Sequence, residues 1–280
     1  MKLIRKKKGR GFAYQFEHGE WFKASSTKDL ATKEWINSLA IPPAWVDVEI
    51  ELNKQAKVHA VGRDTAGKKQ YIYNTEWRAK RAKQKFERIQ NFARKLEHMR
   101  RVTGQDLNAE DDSPGKPTRR RVLACMVRLI DNAYFRPGNS QYTQDNESYG
   151  LTTLRSKHLS IENDELIFEY QGKSGMSQRK EIEDQRLAKI VAELDELPGY
   201  RIFKYYEDGQ RCFVDSEDLN HYIKTIMGDD FSVKDFRSWA GTALMAIALA
   251  ELDVTDDESI RNKNILRSIE KVAEKLGNTP

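Results

Sequence analysis

The main change in the pattern of apolar residues along this chain of 280 residues lies at about residue 75. Before that point, short runs alternate apolar and polar residues, which is typical of strands with one buried face. These runs lie at 12–16, 46–50, 58–62 and 70–73. A turn at Asp64-Thr-Ala-Gly67 precedes the last run, so the pattern predicts a small antiparallel sheet, interrupted by one helix over 32–40.

After residue 75 the spacing becomes helical. A long helix is predicted to start at Thr75 as its N-cap, with its apolar face formed by Trp77, Phe86, Ile89, Phe92, Ala93 and Leu96. Further helices are predicted at 118–134, 140–145, 184–196, 216–227, 233–252 and 257–276, with Ser216 and Ser232 as N-caps. The acidic stretch 106–117, which contains Pro and Gly, is predicted to be a loop.

One stretch within the helical part favours strands instead. Runs at 159–161, 166–170 and 180–182 predict a three-stranded ribbon that turns at Asn163-Asp164 and at Gly172-Lys-Ser-Gly175. The second turn places Lys173 at a hairpin tip. The predicted fold class is therefore α+β, with a small N-terminal antiparallel β-sheet domain at 1–80 and a larger, mainly α-helical domain with a three-stranded β-ribbon at 81–280.

Positive charge is concentrated in two segments, although the formal net charge is only +5. Residues 76–101 contain ten Lys or Arg against three Glu, and the first ten residues contain six Lys or Arg. Such clustering is expected when one face binds a polyanion such as nucleic acid. A solvated helix face is the alternative explanation for the same charges.

The two cysteines, Cys125 and Cys212, form no pairing or metal-ligand motif, which favours a reducing cytoplasm. The basic start lacks an apolar signal core, and the apolar stretch 243–250 is too short to span a bilayer. We therefore expect no membrane partner.

Three motifs point to phosphodiester chemistry: Phe135-Arg-Pro-Gly-Asn139, Lys234-Asp-Phe-Arg-Ser-Trp-Ala-Gly241 and Leu276-Gly-Asn-Thr-Pro280. Together with the Gly-Lys-Ser-Gly turn and with Glu147-Ser-Tyr-Gly-Leu-Thr-Thr-Leu-Arg-Ser-Lys-His158, they resemble the active-site framework of type IB DNA topoisomerases over nearly the whole chain. The resemblance implies the catalytic domain of that family at 81–280, and double-stranded DNA as the partner.

The resemblance assigns the catalytic residues position by position. Arg136 and Arg237 match the two catalytic arginines, Lys173 the hairpin lysine, and Asn278 the residue before Thr-Pro, where viral members have histidine and bacterial members often have asparagine. Guanidinium and amide groups can donate to phosphate oxygens, and a lysine crowded by arginines can protonate the departing 5′ oxygen. The exchange of one phosphodiester for another needs no ATP, metal or other cofactor. Taken alone, each arginine is more often a surface ion-pair residue.

In the sheet domain, Gly67-Lys-Lys-Gln-Tyr-Ile-Tyr73 resembles the family segment that enters the major groove. Lys69, Tyr71 and Tyr73 alternate and should share a face, while Gln70 can pair with base edges. The tyrosines could instead be core aromatics. The cations of the long helix, among them Lys80, Lys83 and Arg88, are expected to contact phosphates.

The family's nucleophile is a tyrosine that follows the Asn-Thr-Pro motif, and this chain stops at Pro280. The 280 residues are therefore expected to bind duplex DNA, as a monomer that encircles it in a bacterial cytoplasm at the nucleoid, without cleaving it. With the tyrosine, the resemblance implies relaxation of supercoils through a 3′-phosphotyrosyl intermediate. Two alternatives stay open: a non-catalytic DNA-binding protein, and a tyrosine recombinase or integrase, although recombinases usually have histidine where this chain has Lys234.

Overall fold

The computed structural model describes residues 1–109, 117–140, 143 and 147–279. The chain forms two compact units, Met1–Glu87 and Arg88–Pro280. A single long helix, α2 (Thr75–Leu107), contains both this division and the boundary that the sequence predicts at residue 80.

The first unit is built on an antiparallel sheet of five strands, in the order β2-β1-β3-β4-β5. The strands are β1 (Lys2–Lys8), β2 (Gly11–Phe16), β3 (Val46–Glu51), β4 (Val58–Arg63) and β5 (Lys69–Tyr73). Helix α1 (Thr27–Ser38) places Ile36 against Leu3, Val48, Ile50 and Ala60 to form the core. The predicted antiparallel sheet is confirmed.

Strand β1 was not predicted, because lysines occupy so many of its positions. Its inward positions are Leu3 and Arg5, both buried. The Arg5 guanidinium donates to the carbonyls of Pro42 (3.0 Å) and Trp45 (2.7 Å), so this buried cation has the partners that burial requires. A strand whose inner face includes an arginine gives no apolar alternation to detect.

Two helix starts differ from the predictions because of local capping. Helix α1 begins at Thr27 instead of 32, since Ser26 and Asp29 form a reciprocal capping box. Helix α2 is capped by Asn74 and not by Thr75: the Asn74 side-chain oxygen accepts from the backbone N–H groups of Glu76 (2.8 Å) and Trp77 (3.1 Å).

The second unit packs its helices around α3, which has nine buried residues. The helices after α2 are α3 (Arg119–Ala133), α4 (Gln185–Glu196), α5 (Ser216–Met227), α6 (Val233–Ala250) and α7 (Glu258–Leu276). On α2, Ile89, Phe92 and Leu96 are buried as predicted, but Phe86 is 55% exposed. Phe86 therefore does not belong to the buried face that the sequence predicted for it.

The predicted three-stranded ribbon is confirmed, with strands β6 (Leu159–Glu162), β7 (Glu165–Gln171) and β8 (Ser177–Glu183) in sequential order. Asn163 and Asp164 both have positive φ, as a two-residue hairpin requires. A further hairpin, β9 (Lys204–Glu207) with β10 (Gln210–Phe213), was missed.

Three other predictions need correction or fall outside the described residues. The N-cap of α5 is Asp215, whose carboxylate accepts from two backbone N–H groups, and not Ser216. The predicted loop begins too early, because α2 continues to Leu107 and Asp106 is buried, accepting from Tyr222 Oη (2.5 Å). Residues 110–116 of that loop, and most of the helix predicted at 140–145, lie outside the described part of the chain.

Candidate active site

Arg136 is held by the chain that immediately surrounds it. Helix α3 ends at Tyr134, which adopts a left-handed conformation and redirects the backbone toward Arg136. The Arg136 carbonyl then accepts from Leu151 N (2.9 Å), which ties the segment to the motif that precedes the ribbon. A Cβ on Gly150 would lie 2.5 Å from Gly138 N, so the two segments can only approach this closely because residue 150 is glycine.

Arg237 projects from α6, whose first turn is fixed by Asp235 and Ser232. Its guanidinium donates to the Tyr134 carbonyl at one end and to the Leu276 carbonyl (2.9 Å) at the other. One side chain thereby links the end of α3 to the end of α7.

Asn278 lies between the two arginines. Its Oδ1 accepts from Arg136 (2.5 Å) and from Arg237 (2.8 Å). Gly277, with a φ of +62°, ends α7 in the left-handed conformation and turns Asn278 toward them. The Asn278 Oδ1 accepts from both cations, and the amide NH₂ of the same side chain can donate to a ligand.

A third cation, Lys180 on β8, is buried beside these arginines. Burial, and then the charges of Arg237 and Arg136, lower the pKa of Lys180 from 10.5 to about 8. Burial, and then Arg136, also lower the pKa of Arg237 to about 10. Burial raises the pKa of the neighbouring Tyr170 phenol, so that side chain stays neutral.

No ion pair between described residues includes Arg136, Lys180 or Arg237. Elsewhere in the unit, arginines such as Arg88 and Arg100 do pair with carboxylates. Lys180 is buried and the two arginines are partly buried, and cations held together in this way without a carboxylate among the described residues favour an anionic ligand. The arrangement is suited to a phosphate with oxygens facing both guanidiniums and the amide.

The structure brings together three of the four predicted catalytic residues. Lys173 lies apart from the contacts that join Arg136, Arg237 and Asn278: it is exposed, in a short 3₁₀ turn between β7 and β8. Its ammonium group takes part in no hydrogen bond or ion pair with the residues that the structure describes. The turn geometry agrees with the predicted hairpin tip, and the role of Lys173 stays a prediction.

Lys69, Tyr71 and Tyr73, which are predicted to contact DNA, share a face of the first unit, as expected from their alternation. Tyr71 and Tyr73 stack with ring centroids 5.9 Å apart, and the Lys69 ammonium lies 5.8 Å from the Tyr71 ring. Tyr73 stacks in turn on Trp77 (5.0 Å), which Lys57 approaches to 4.7 Å. These aromatics are half-buried or exposed and none belongs to the buried core of the sheet.

The other predicted DNA contacts differ in their availability. Lys80 and Lys83 are exposed on α2. The Gln70 amide donates to Asp64 (2.8 Å), so its NH₂ group already has a partner within its own turn. Arg88 pairs with Asp235 (2.6 Å) at the start of α6, and so supports the helix that carries Arg237.

Two residues that contact the site were missed by the sequence analysis: Lys180, and Gln178, which donates to the Gly277 carbonyl (3.3 Å). A signal for both was present. They alternate with Ile182 along β8, and Ile182 is buried, so all three side chains point to the inner face. A lysine in phase with a buried isoleucine indicates a cation that points inward.

Within the described ranges, no three His, Cys, Asp or Glu side chains are grouped to hold a metal ion. None of the helices in that part of the chain has the length and apolar character to cross a membrane.

Comparisons with known proteins agree with this geometry. The family model for the catalytic core of eukaryotic DNA topoisomerase I matches residues 74–280, and that for the N-terminal domain of bacterial DNA topoisomerase IB matches residues 11–64. The DNA topoisomerase 1B of Acanthamoeba polyphaga mimivirus is 31% identical over 288 residues, covering 99% of this chain and 82% of the viral protein. The DNA topoisomerase 1B of Vaccinia virus (strain Copenhagen) is 28% identical over 172 residues, covering 58% of this chain and 53% of the Vaccinia protein.

A sheet unit, followed by a helical unit whose site combines cations and an amide, is therefore the fold of a DNA topoisomerase. The chain belongs to the type IB DNA topoisomerases. The relatives are named as enzymes of the isomerase class, and the predicted fold class agrees with the family's core fold.

Proposed function

We propose that this chain binds duplex DNA and holds one phosphodiester between Arg136, Arg237 and Asn278, so that a tyrosine oxygen can attack the phosphorus. The attack forms a 3′-phosphotyrosyl bond and releases the 5′ oxygen, and the reverse step rejoins the strand. Between the two steps the free end rotates and supercoils relax. The energy of the phosphodiester is kept in the phosphotyrosine, so no ATP is consumed.

One arrangement carries this proposal: both guanidiniums donate to the uncharged oxygen of Asn278, at 2.5 and 2.8 Å. Neither guanidinium has a carboxylate partner among the described residues. Negative charge grows on the non-bridging oxygens as the nucleophile attacks. Donors already fixed in place stabilise that charge without reorganising. Asn278 keeps the two arginines oriented while its amide NH₂ donates to the same phosphate.

Lys173 is proposed as the general acid. The departing 5′ oxygen needs a proton as its bond to phosphorus breaks, and an ammonium group can supply one, whereas a guanidinium holds its proton too tightly. In the exposed turn between β7 and β8, this long side chain has no hydrogen-bond or ion-pair partner among the described residues that would have to be displaced.

DNA recognition is proposed to involve the face of the first unit that carries Lys69, Tyr71 and Tyr73, with Gln70 beside it. Phosphate contacts from the exposed Lys80 and Lys83 add affinity that is independent of sequence. Asn278 and the match to a bacterial N-terminal domain support a bacterial enzyme. A cytoplasmic location and a monomeric state belong to the same proposal. The family match favours this function over a tyrosine recombinase.

The test measures single-turnover strand cleavage by a protein that carries this chain and a tyrosine after Asn278, because the reaction needs that tyrosine. Arg136→Ala and Arg237→Ala are each expected to slow cleavage about 10²-fold or more, the usual cost of one transition-state donor. DNA affinity should change little, since most of it comes from other phosphate contacts. Arg179→Ala is the matched control, because this exposed arginine on β8 pairs with Glu169 and Glu181.

Three outcomes would contradict the proposal. Equal cleavage rates in the wild type and in both arginine variants would remove the arginines from the chemistry. Relaxation that requires ATP, or that EDTA abolishes, would contradict the proposed mechanism. If the protein that carries the tyrosine binds supercoiled DNA but never relaxes it, the non-catalytic DNA-binding alternative is correct.

A further inference from the structure

Three side chains from outside α7 donate hydrogen bonds to backbone carbonyl groups at its C-terminal end. Its final carbonyl groups have no partner within the helix and need donors from elsewhere. Lys180 Nζ donates to the Lys275 carbonyl (3.3 Å), Arg237 to the Leu276 carbonyl (2.9 Å) and Gln178 to the Gly277 carbonyl (3.3 Å). Three successive carbonyls, directly before Asn278, therefore each have a separate donor.

Two of these donors come from one face of β8. Gln178 and Lys180 are separated by one residue, so both point inward, while the intervening Arg179 points outward to Glu169 and Glu181. The fit at Gly277 is close: a Cβ at this position would lie 1.9 Å from Gln178 Oε1. The C-terminal end of α7 therefore packs against β8.

Burying a lysine in order to donate one hydrogen bond to a carbonyl costs free energy. A neutral donor such as a glutamine would avoid the desolvation of a charge and its repulsion by Arg136 and Arg237. A cation at a helix C-terminus is, however, favoured by the helix dipole, and it holds the carbonyl more strongly than a neutral donor does. The carbonyl that Lys180 holds belongs to Lys275, only three residues before the Asn278 that binds both arginines, and this location indicates a function in the site.

We propose that Lys180 is a positioning residue: its ammonium group fixes the last turn of α7 and thereby holds Asn278 in the orientation in which its oxygen binds both arginines. Gln178 assists from the same strand face. This inference deepens the proposed function, on which it depends for the role of Asn278 as a phosphate donor. Lys180 acts through Asn278 and need not touch DNA.

The charged groups that act on Lys180 are Arg237 from α6 and Arg136 from the segment after α3. Its partner on β7 is Phe168, and α7 contributes a backbone carbonyl. With no carboxylate acting on it among the described residues, Lys180 loses its proton at a lower pH than an ordinary lysine, at about 8. Above that pH the hydrogen bond from Lys180 to the Lys275 carbonyl should weaken.

The test measures backbone amide hydrogen exchange in the 280-residue chain without DNA. The reporters are the N–H groups of Gly277 and Asn278, which donate to carbonyls of α7 at 3.0 and 2.8 Å. Lys180→Met should reduce their protection about tenfold or more, as expected for loss of a charge-assisted hydrogen bond. Lys180→Arg should restore it, and the outward-facing Arg179→Gln should leave it unchanged.

A pH series separates positioning from simple packing. After correction for intrinsic exchange, protection of Asn278 against local opening of the end of α7, in which Lys180 stays buried on β8, should fall in the wild type as pH rises through about 8. It should not fall in Lys180→Arg. Unchanged protection in Lys180→Met would overturn the proposal, and so would an equal loss at amides of α3, which would make Lys180 a general stability residue. Because no DNA is used, this result is independent of whether the enzyme relaxes supercoils.

Discussion

At the scale of single residues, the choice of an amide at position 278 explains how two arginines can stay close without being neutralised. A carboxylate there would pair with both guanidiniums and compete with the phosphate. The Asn278 oxygen holds them by hydrogen bonds, at 2.5 and 2.8 Å, yet leaves their charge for the ligand. The uncharged Asn278 therefore orients the cations and preserves the positive potential of the site.

The role of Lys173 can be separated from that of the arginines by changing the leaving group. Lys173→Ala should slow cleavage of ordinary DNA strongly, because an alkoxide leaves poorly without a proton. On DNA with a 5′-phosphorothiolate at the cleavage site, sulfur leaves without protonation, so the variant should approach the wild-type rate. The measurement is single-turnover cleavage of both substrates by the protein that carries the tyrosine.

The matched control for this prediction is Lys189→Ala, which removes an exposed lysine from α4 and should affect neither substrate. A second comparison is Arg237→Ala, whose defect should persist on the phosphorothiolate, because it lacks a donor to the phosphate oxygens. An equal defect of Lys173→Ala on both substrates would show that Lys173 is a phosphate contact and not the acid.

At the scale of elements, the cations of α2 divide into two groups with different expected effects. Lys80 and Lys83 are exposed, whereas Arg88 is paired with Asp235. Each phosphate contact contributes about 0.9 to the slope of log K against log salt concentration. Replacing Lys80 and Lys83 by Gln should weaken binding to all duplexes alike and flatten that slope, as measured by binding titrations at several salt concentrations.

Arg88→Gln is the internal comparison on the same helix. It removes the partner of a buried carboxylate that caps α6, so it should lower the free energy of unfolding while changing the salt slope less. An unchanged slope in the double lysine variant would show that this part of α2 is a solvated face. A full change of slope in Arg88→Gln would show that Arg88 leaves Asp235 to bind phosphate.

The elements also show where sequence reasoning succeeds. The ribbon β6 to β8 was predicted because alternation and turn residues are local signals, and the helices around α3 because apolar residues recur at helical spacing. Strand β1 and Lys180 were missed for one shared reason: each places a cation on an inward face, and its partners are carbonyl groups distant in sequence. Hydropathy alone does not reveal a buried cation that is satisfied by backbone oxygens.

At the scale of the whole molecule, the sequence motifs named three residues that the fold brings together, Arg136, Arg237 and Asn278, but not the residues that support them. Arg136, Arg237 and Asn278 lie in three short motifs separated by long stretches of chain, and the fold joins them directly. Arg237 also bonds the ends of α3 and α7, so the site and the packing of the unit depend on the same side chain. A site built in this way links its protonation to the stability of the fold.

That linkage gives a prediction for stability against pH. In the unfolded chain Lys180 keeps its proton up to its ordinary pKa of 10.5, whereas in the folded chain it loses it at about 8. Between these values the unfolded state binds more protons, so the free energy of unfolding must rise with pH. Relative to Lys180→Met, which cannot titrate, the wild type should gain at most about 3 kcal/mol between pH 8 and 10.5.

Urea unfolding of both proteins at about pH 7 and about pH 10 measures this difference, and other titrating groups cancel because both proteins contain them. Lys180→Arg keeps its charge throughout and should show no such gain. If the free energy of unfolding of the wild type, relative to Lys180→Met, falls as pH rises, then the folded protein stabilises the charged form of Lys180. An anionic group, and not only Arg136 and Arg237, would then act on Lys180 in the DNA-free protein.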